Sequence, residues 1–102
     1  MVQGEKLLTN DVMKNLPKET RECIWRIMDQ LIITRVNKTF KSNYSFYLNE
    51  VNRGGKSMQE IAYYDPHSKE VKKIHVDIKP VLNDIVHVII QFQGEMLMTF
   101  DY

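Results

Sequence analysis

The pattern of apolar and polar positions divides the chain into two periods. Between Pro17 and Arg35 the period is that of a helix. Ile24, Ile27, Met28 and Leu31 recur at i, i+3, i+4 and i+7 and form one apolar stripe, which Trp25 and Ile32 widen. Arg21, Arg26, Asp29 and Gln30 lie off it. Pro17 suits a helix start because its missing N–H is not needed there. Glu19 and Glu22 favour the positive end of the helix dipole. Asn37 is a left-handed stop. The spacing predicts one main helix over 17–35.

Beyond Asn37 the period becomes two. Tyr44, Phe46 and Leu48 alternate with Ser45, Tyr47 and Asn49. Asn52-Arg53-Gly54-Gly55-Lys56 reads as a hairpin turn, because Gly-Gly supplies positive φ. Met58–Tyr64 is then the return strand. Asp65-Pro66-His67-Ser68 is a second turn, followed by a strand with Ile74, Val76 and Ile78 on one face and a stop at Pro80. Asp84–Gln93 is the most strand-like segment. Val86, Val88, Ile90 and Phe92 share one face, and the opposite face is half apolar, as in the centre of a sheet. Gln93-Gly94 turns the chain into a last alternating run, Met96, Met98, Phe100 and Tyr102. Near the start, Lys6–Thr9 can form an edge strand, and Thr9, Asn10 and Asp11 can cap one helical turn over 11–15. The expected fold class is α+β: one main N-terminal helix packed on a mostly antiparallel sheet of about five strands.

Length fits a single domain over residues 1–102, and a hydrophobic fraction of 43% is enough for a core. A lone Cys23 cannot form an internal disulfide. No apolar run approaches the about 20 residues of a membrane-spanning helix. With no export signal in the first residues, the expected location is cytoplasmic, and a membrane partner is not expected.

No constellation for catalysis emerges. Cys23 belongs to a helix and reads as a small buried hydrophobe. His67, His75 and His87 have no metal-ligand spacing, although His75, Asp77 and His87 could meet across paired strands. Gly54-Gly55-Lys56-Ser57 echoes a phosphate-binding loop but precedes a strand where such a loop precedes a helix. The chain is therefore expected to be non-enzymatic, with no cofactor, no metal and no catalytic residue.

Charge changes the picture more. The net charge is only +1. Residues 35–56 nevertheless carry Arg35, Lys38, Lys41, Arg53 and Lys56 against Glu50, whereas residues 80–102 carry Asp84, Glu95 and Asp101 and no Lys or Arg. A basic first hairpin thus opposes an acidic last one. Such polarity suits a protein partner or another copy of the chain. Tyr47, Tyr63 and Tyr64 are the candidate anchors, since tyrosine is enriched at interfaces. The alternative is nucleic-acid binding through Arg35, Lys38, Lys41, Arg53 and Lys56, interleaved with Phe40, Tyr44, Phe46 and Tyr47.

Several segments together resemble one family. Leu7-Leu8-Thr9, Leu16-Pro17, Ile24-Trp25-Arg26-Ile27-Met28-Asp29, Asn43-Tyr44-Ser45-Phe46-Tyr47-Leu48 and the closing Met96-Leu97-Met98-Thr99-Phe100-Asp101-Tyr102 follow the order of the domain of unknown function 960 family of Gram-positive bacteria and their phages. Where that family carries a His-Arg-Gln-Glu region, this chain has Gln59-Glu60-Ile61-Ala62-Tyr63-Tyr64. The resemblance transfers no catalytic residue. It implies a phage-type protein that binds and modulates a host protein, such as a defence or replication factor.

Overall fold

The computed structural model describes residues 5–33, 43–66, 68–81, 83–90 and 95–101. These hold six strands in one sheet and two helices, in the order β1 (Lys6–Leu8), α1 (Asn10–Asn15), α2 (Lys18–Ile33), β2 (Asn43–Arg53), β3 (Lys56–Asp65), β4 (Glu70–Val76), β5 (Asp84–Ile90) and β6 (Met96–Phe100). This corrects the expected architecture of one main helix on about five strands. The sheet is mixed, with spatial order β1-β6-β5-β2-β3-β4. The sixth strand is β1, which pairs parallel to β6, Leu7 opposite Leu97. Three residues carry little local strand signal. It is the last strand of the sheet, some ninety residues on, that makes β1 a strand.

Local chemistry accounts for most boundaries. Thr9 ends β1 by donating its N–H to Met98 O at 3.1 Å, and then caps α1 by accepting from Val12 N–H on Oγ1 at 3.4 Å. Pro17 closes the link between the helices, and its carbonyl accepts the Arg21 N–H at 3.0 Å. Arg53 pairs with Lys56 across a two-residue turn whose glycines have φ of +60° and +80°. Positive φ at both central positions is the requirement of the type I′ hairpin turn, and only glycine meets it cheaply. Two connections cross the sheet: β1 to β2 through the helices, and β4 to β5, from the β4 edge back to a central position beside β2.

The core lies between the two helices and one face of the sheet. Val12 of α1 and Leu16, which caps its end, join Ile24, Ile27 and Met28 of α2 against Phe46, Leu48, Ile61, Val86, Val88 and Met98. All alternate on their strands, so every strand gives the helices the same face. Cys23 belongs to the buried stripe, and Trp25 packs at its margin half-buried. Thr20 and Gln59 are fully buried polar residues. Gln59 Oε1 accepts the Val81 N–H at 2.6 Å, and its Nε2 donates to Asn49 O and Glu60 O at 3.0 Å and to Val81 O at 3.2 Å. One side chain thereby holds the β4–β5 crossover against β3.

Candidate functional site

Both described helices lie on one side of the sheet, so the other side is the surface on which function is sought. Period two decides which residues reach it. Ser45, Tyr47 and Asn49 of β2 do so, as do Glu60, Ala62 and Tyr64 of β3, and Ile85, His87 and Ile89 of β5. Of the four large apolar residues most exposed among those described, three stand here: Tyr47 at 47%, Tyr64 at 41% and Val71 at 67%. Tyr47 pairs with Ala62 on one side and with Ile85 on the other.

Of the three tyrosines expected at a partner surface, Tyr47 and Tyr64 are on this face. Tyr63 is not. It is buried on the helix side, its ring 5.8 Å from that of Phe46. The signal that separates the pair was in the sequence, because neighbours on a strand point to opposite faces. Ile61 and Tyr63 continue the core row, and Ala62 and Tyr64 the open one.

Two polar chains flank the tyrosines. In the first, Ser45 Oγ lies 2.9 Å from His87 Nδ1, and His87 Nε2 lies 3.0 Å from Asp101 Oδ1. The carboxylate only accepts, so Nε2 carries a proton, and in the neutral ring Nδ1 accepts from the serine hydroxyl. In the second, Arg53 Nη1 lies 2.6 Å from His75 Nδ1, and His75 Nε2 lies 3.1 Å from Glu60 Oε2. A guanidinium only donates, so His75 holds the same tautomer as His87. Lys56 Nζ meets Asp77 Oδ2 at 2.6 Å beside it.

The first chain joins serine, histidine and aspartate in the order of a nucleophilic triad, a link that sequence reasoning missed. Register alone reveals it, because Ser45 faces His87 across β2 and β5. An oxyanion hole needs backbone donors aimed at the reacting centre. Around Ser45 the ladder of β2 with β5 engages backbone donors. The chain links polar groups of β2, β5 and the residue that follows β6.

His75 and His87 do not converge, because β2 and β3 separate their strands. Among the described residues, no group of three or more His, Cys, Asp or Glu is placed to hold a metal ion. Cys23 is buried in the helix stripe, and its burial pushes the thiol pKa upward, away from a reactive thiolate.

The charged hairpins are neighbours rather than opposite edges, because β2 of the first pairs with β5 of the last. Of the basic residues considered for nucleic acid, Arg53 is committed to His75 on β4 and Lys56 to Asp77 just beyond it. Arg35, Lys38 and Lys41 lie outside the described residues, as do Phe40 and His67. Asp84 and Asp101 meet Asp11 and Asn15 of α1 around an open cleft of about 380 Å³, completed by Ile85 and Phe100. No described helix is long and apolar enough to cross a membrane.

No protein-family model matches the chain. A search of curated proteins likewise finds no match. Among solved structures, the chain is similar to a protein of unknown function from Enterococcus faecalis, with a TM-score of 0.67 and 14% sequence identity, over 93% of this chain and 85% of that one. At that identity the likeness shows the fold alone.

Proposed function

We propose that the protein is a small non-enzymatic protein-binding module that docks through the face of its sheet opposite α1 and α2. The observation that carries this reading is the placement of Tyr47, Tyr64 and Val71, three of the four most exposed large apolar side chains among those described, on that one face. Exposed apolar side chains gathered on one surface mark an interaction site, and tyrosine gives large contact area at low entropic cost. Polar chains at both ends of the patch form the rim that specific interfaces carry. The commitment of Arg53 to His75 and of Lys56 to Asp77 favours a protein over a phosphate backbone as ligand.

The segments that resemble the domain of unknown function 960 family support a phage setting for this module. Its partner is then a host protein, such as a defence or replication factor, met in the host cytoplasm. The test compares wild type with Tyr47→Ser/Tyr64→Ser as bait in host lysate, with Met13→Ser on α1 as the control. Proteins retained by wild type and by the control, and lost with the double variant, support the reading. Equal retention by all three baits at unchanged melting temperature sinks it.

A further inference from the structure

One row of the open face is complementary to its own reverse. Across the strands from β6 to β4 it runs Asp101, Ile85, Tyr47, Ala62, Lys73. The register sets each step: Asp101 N–H donates to Ile85 O at 2.9 Å, and Tyr47 pairs with both Ile85 and Ala62, and Ala62 with Lys73. An acid stands at one end, a base at the other, small or aliphatic side chains at the second and fourth places, and an exposed tyrosine in the middle. Lys73 is exposed and has no ion-pair partner among the described residues.

We infer that the occupant of this face is a second copy of the chain, packed sheet on sheet about a two-fold axis that runs along β2. This rests on the reading of the open face as a docking surface and assigns that face, while no host protein holds it, to a second copy. A rotation about β2 exchanges the strands on either side of it. Lys73 of each copy then faces the acidic end of the other, around Asp101. Ile85 faces Ala62, and Tyr47 meets its own mate on the axis. In the next row His87 falls opposite Tyr64, and Thr99 covers Val71, so all three exposed apolar side chains of this face become covered by one operation. An interface that uses the same patch on both subunits is the commonest way for a small protein to close an assembly. Stacked sheets lie about 10 Å apart with strands inclined by about 30°, which keeps the rows in step near the axis and leaves the outer gap to be bridged by a lysine and a carboxylate.

Sedimentation equilibrium of the full chain reads the outcome. Wild type is expected at twice the 12.1 kDa chain mass. Lys73→Glu and Asp101→Lys each weaken the dimer, by about tenfold in dissociation constant, through like charge at the paired ends. The double variant carrying both changes restores it, because the exchange recreates both contacts. Cross-linking provides a second readout should a charge variant lose its fold. In a Cys23→Ser background, Tyr47→Cys is expected to yield covalent dimers with a short bismaleimide, and Met13→Cys on α1 is not. A wild-type chain that stays monomeric at its highest attainable concentration overturns the inference. So does a dimer indifferent to the single reversals, or unrestored by the pair. If the chain is monomeric and Tyr47 and Tyr64 still govern capture of another protein, self-pairing falls and the docking reading stands.

Discussion

Gln59 grips Val81 from both sides of the peptide: its carbonyl oxygen accepts the Val81 N–H at 2.6 Å, and its amide donates to the Val81 carbonyl at 3.2 Å. The side chain is fully buried, 22 positions away in sequence, and imitates a strand partner where the crossover has none. Gln59→Leu keeps the volume and strands the backbone groups of Val81. The expected loss is about 2–3 kcal/mol, read as a lower urea midpoint. Gln59→Glu keeps the acceptor, removes the donors and buries a carboxylate. Its loss is expected to exceed that of Gln59→Leu at neutral pH and to shrink on acidification, as the buried acid takes up its proton.

Trp25 joins β1 to α2. Lys6 Nζ sits 5.8 Å from the centre of its ring and 3.0 Å from Asp29 Oδ2. Because the indole is only half-buried, Trp25→Ala is expected to cost about 2 kcal/mol, below the about 3–5 kcal/mol of a fully buried tryptophan. A melting curve identical to wild type would place the ring outside the core.

Lys72 binds the buried Asp65 at 2.9 Å. The hydrogen bond to Asp65, and then its charge, hold the Lys72 pKa above its ordinary value. With Asp65 ionised, folding therefore gains from this pair below the unfolded lysine pKa of about 10.4, and the gain disappears as pH rises through the higher folded value. The difference in urea midpoint between wild type and Lys72→Met is expected to stay constant from neutral pH to about 10 and then to close. A gap that closes well below pH 10 while Asp65 is still ionised would assign the effect to another group.

Cys23 is buried, and burial raises its thiol pKa. Both effects withhold the thiolate, the form that reacts. Alkylation by iodoacetamide at pH 8 is expected to be slower in the native protein than in urea by at least about tenfold. Equal rates would mean that α2 exposes this turn.

Ser45 shares a hydrogen-bond chain with His87 and Asp101 but lies within the strand ladders. A fluorophosphonate probe is expected to leave it unlabelled, with intact-mass analysis as the readout. Ser45→Ala is expected to cost about 1 kcal/mol, the ordinary worth of one hydrogen bond. Labelling at Ser45 would make the protein a hydrolase and end the non-enzymatic reading.

Much of the local structure was legible. The stripe of Ile24, Ile27, Met28 and Leu31 marks α2, Gly54-Gly55 marks the hairpin, and the two apolar faces of residues 85–90 mark β5 as central. Period two also separates Tyr47 from Phe46. Applied with equal strictness, it separates Tyr64 from Tyr63. The charge count along the chain identified the acidic end but not its neighbour, because charge per segment carries no information on which strands pair.

By itself, then, the sequence determined the type of each main element and which of its faces is apolar, since both follow from side-chain period and turn chemistry over a few residues. Tertiary structure alone decided the mixed order of the sheet, the strand identity of Lys6–Leu8, and the meetings of Gln59 with Val81, Ser45 with His87 and Lys72 with Asp65. These depend on pairings between segments far apart in the chain. Many registers satisfy the same local pattern, and the one adopted is selected by burying every apolar face at once against α1 and α2.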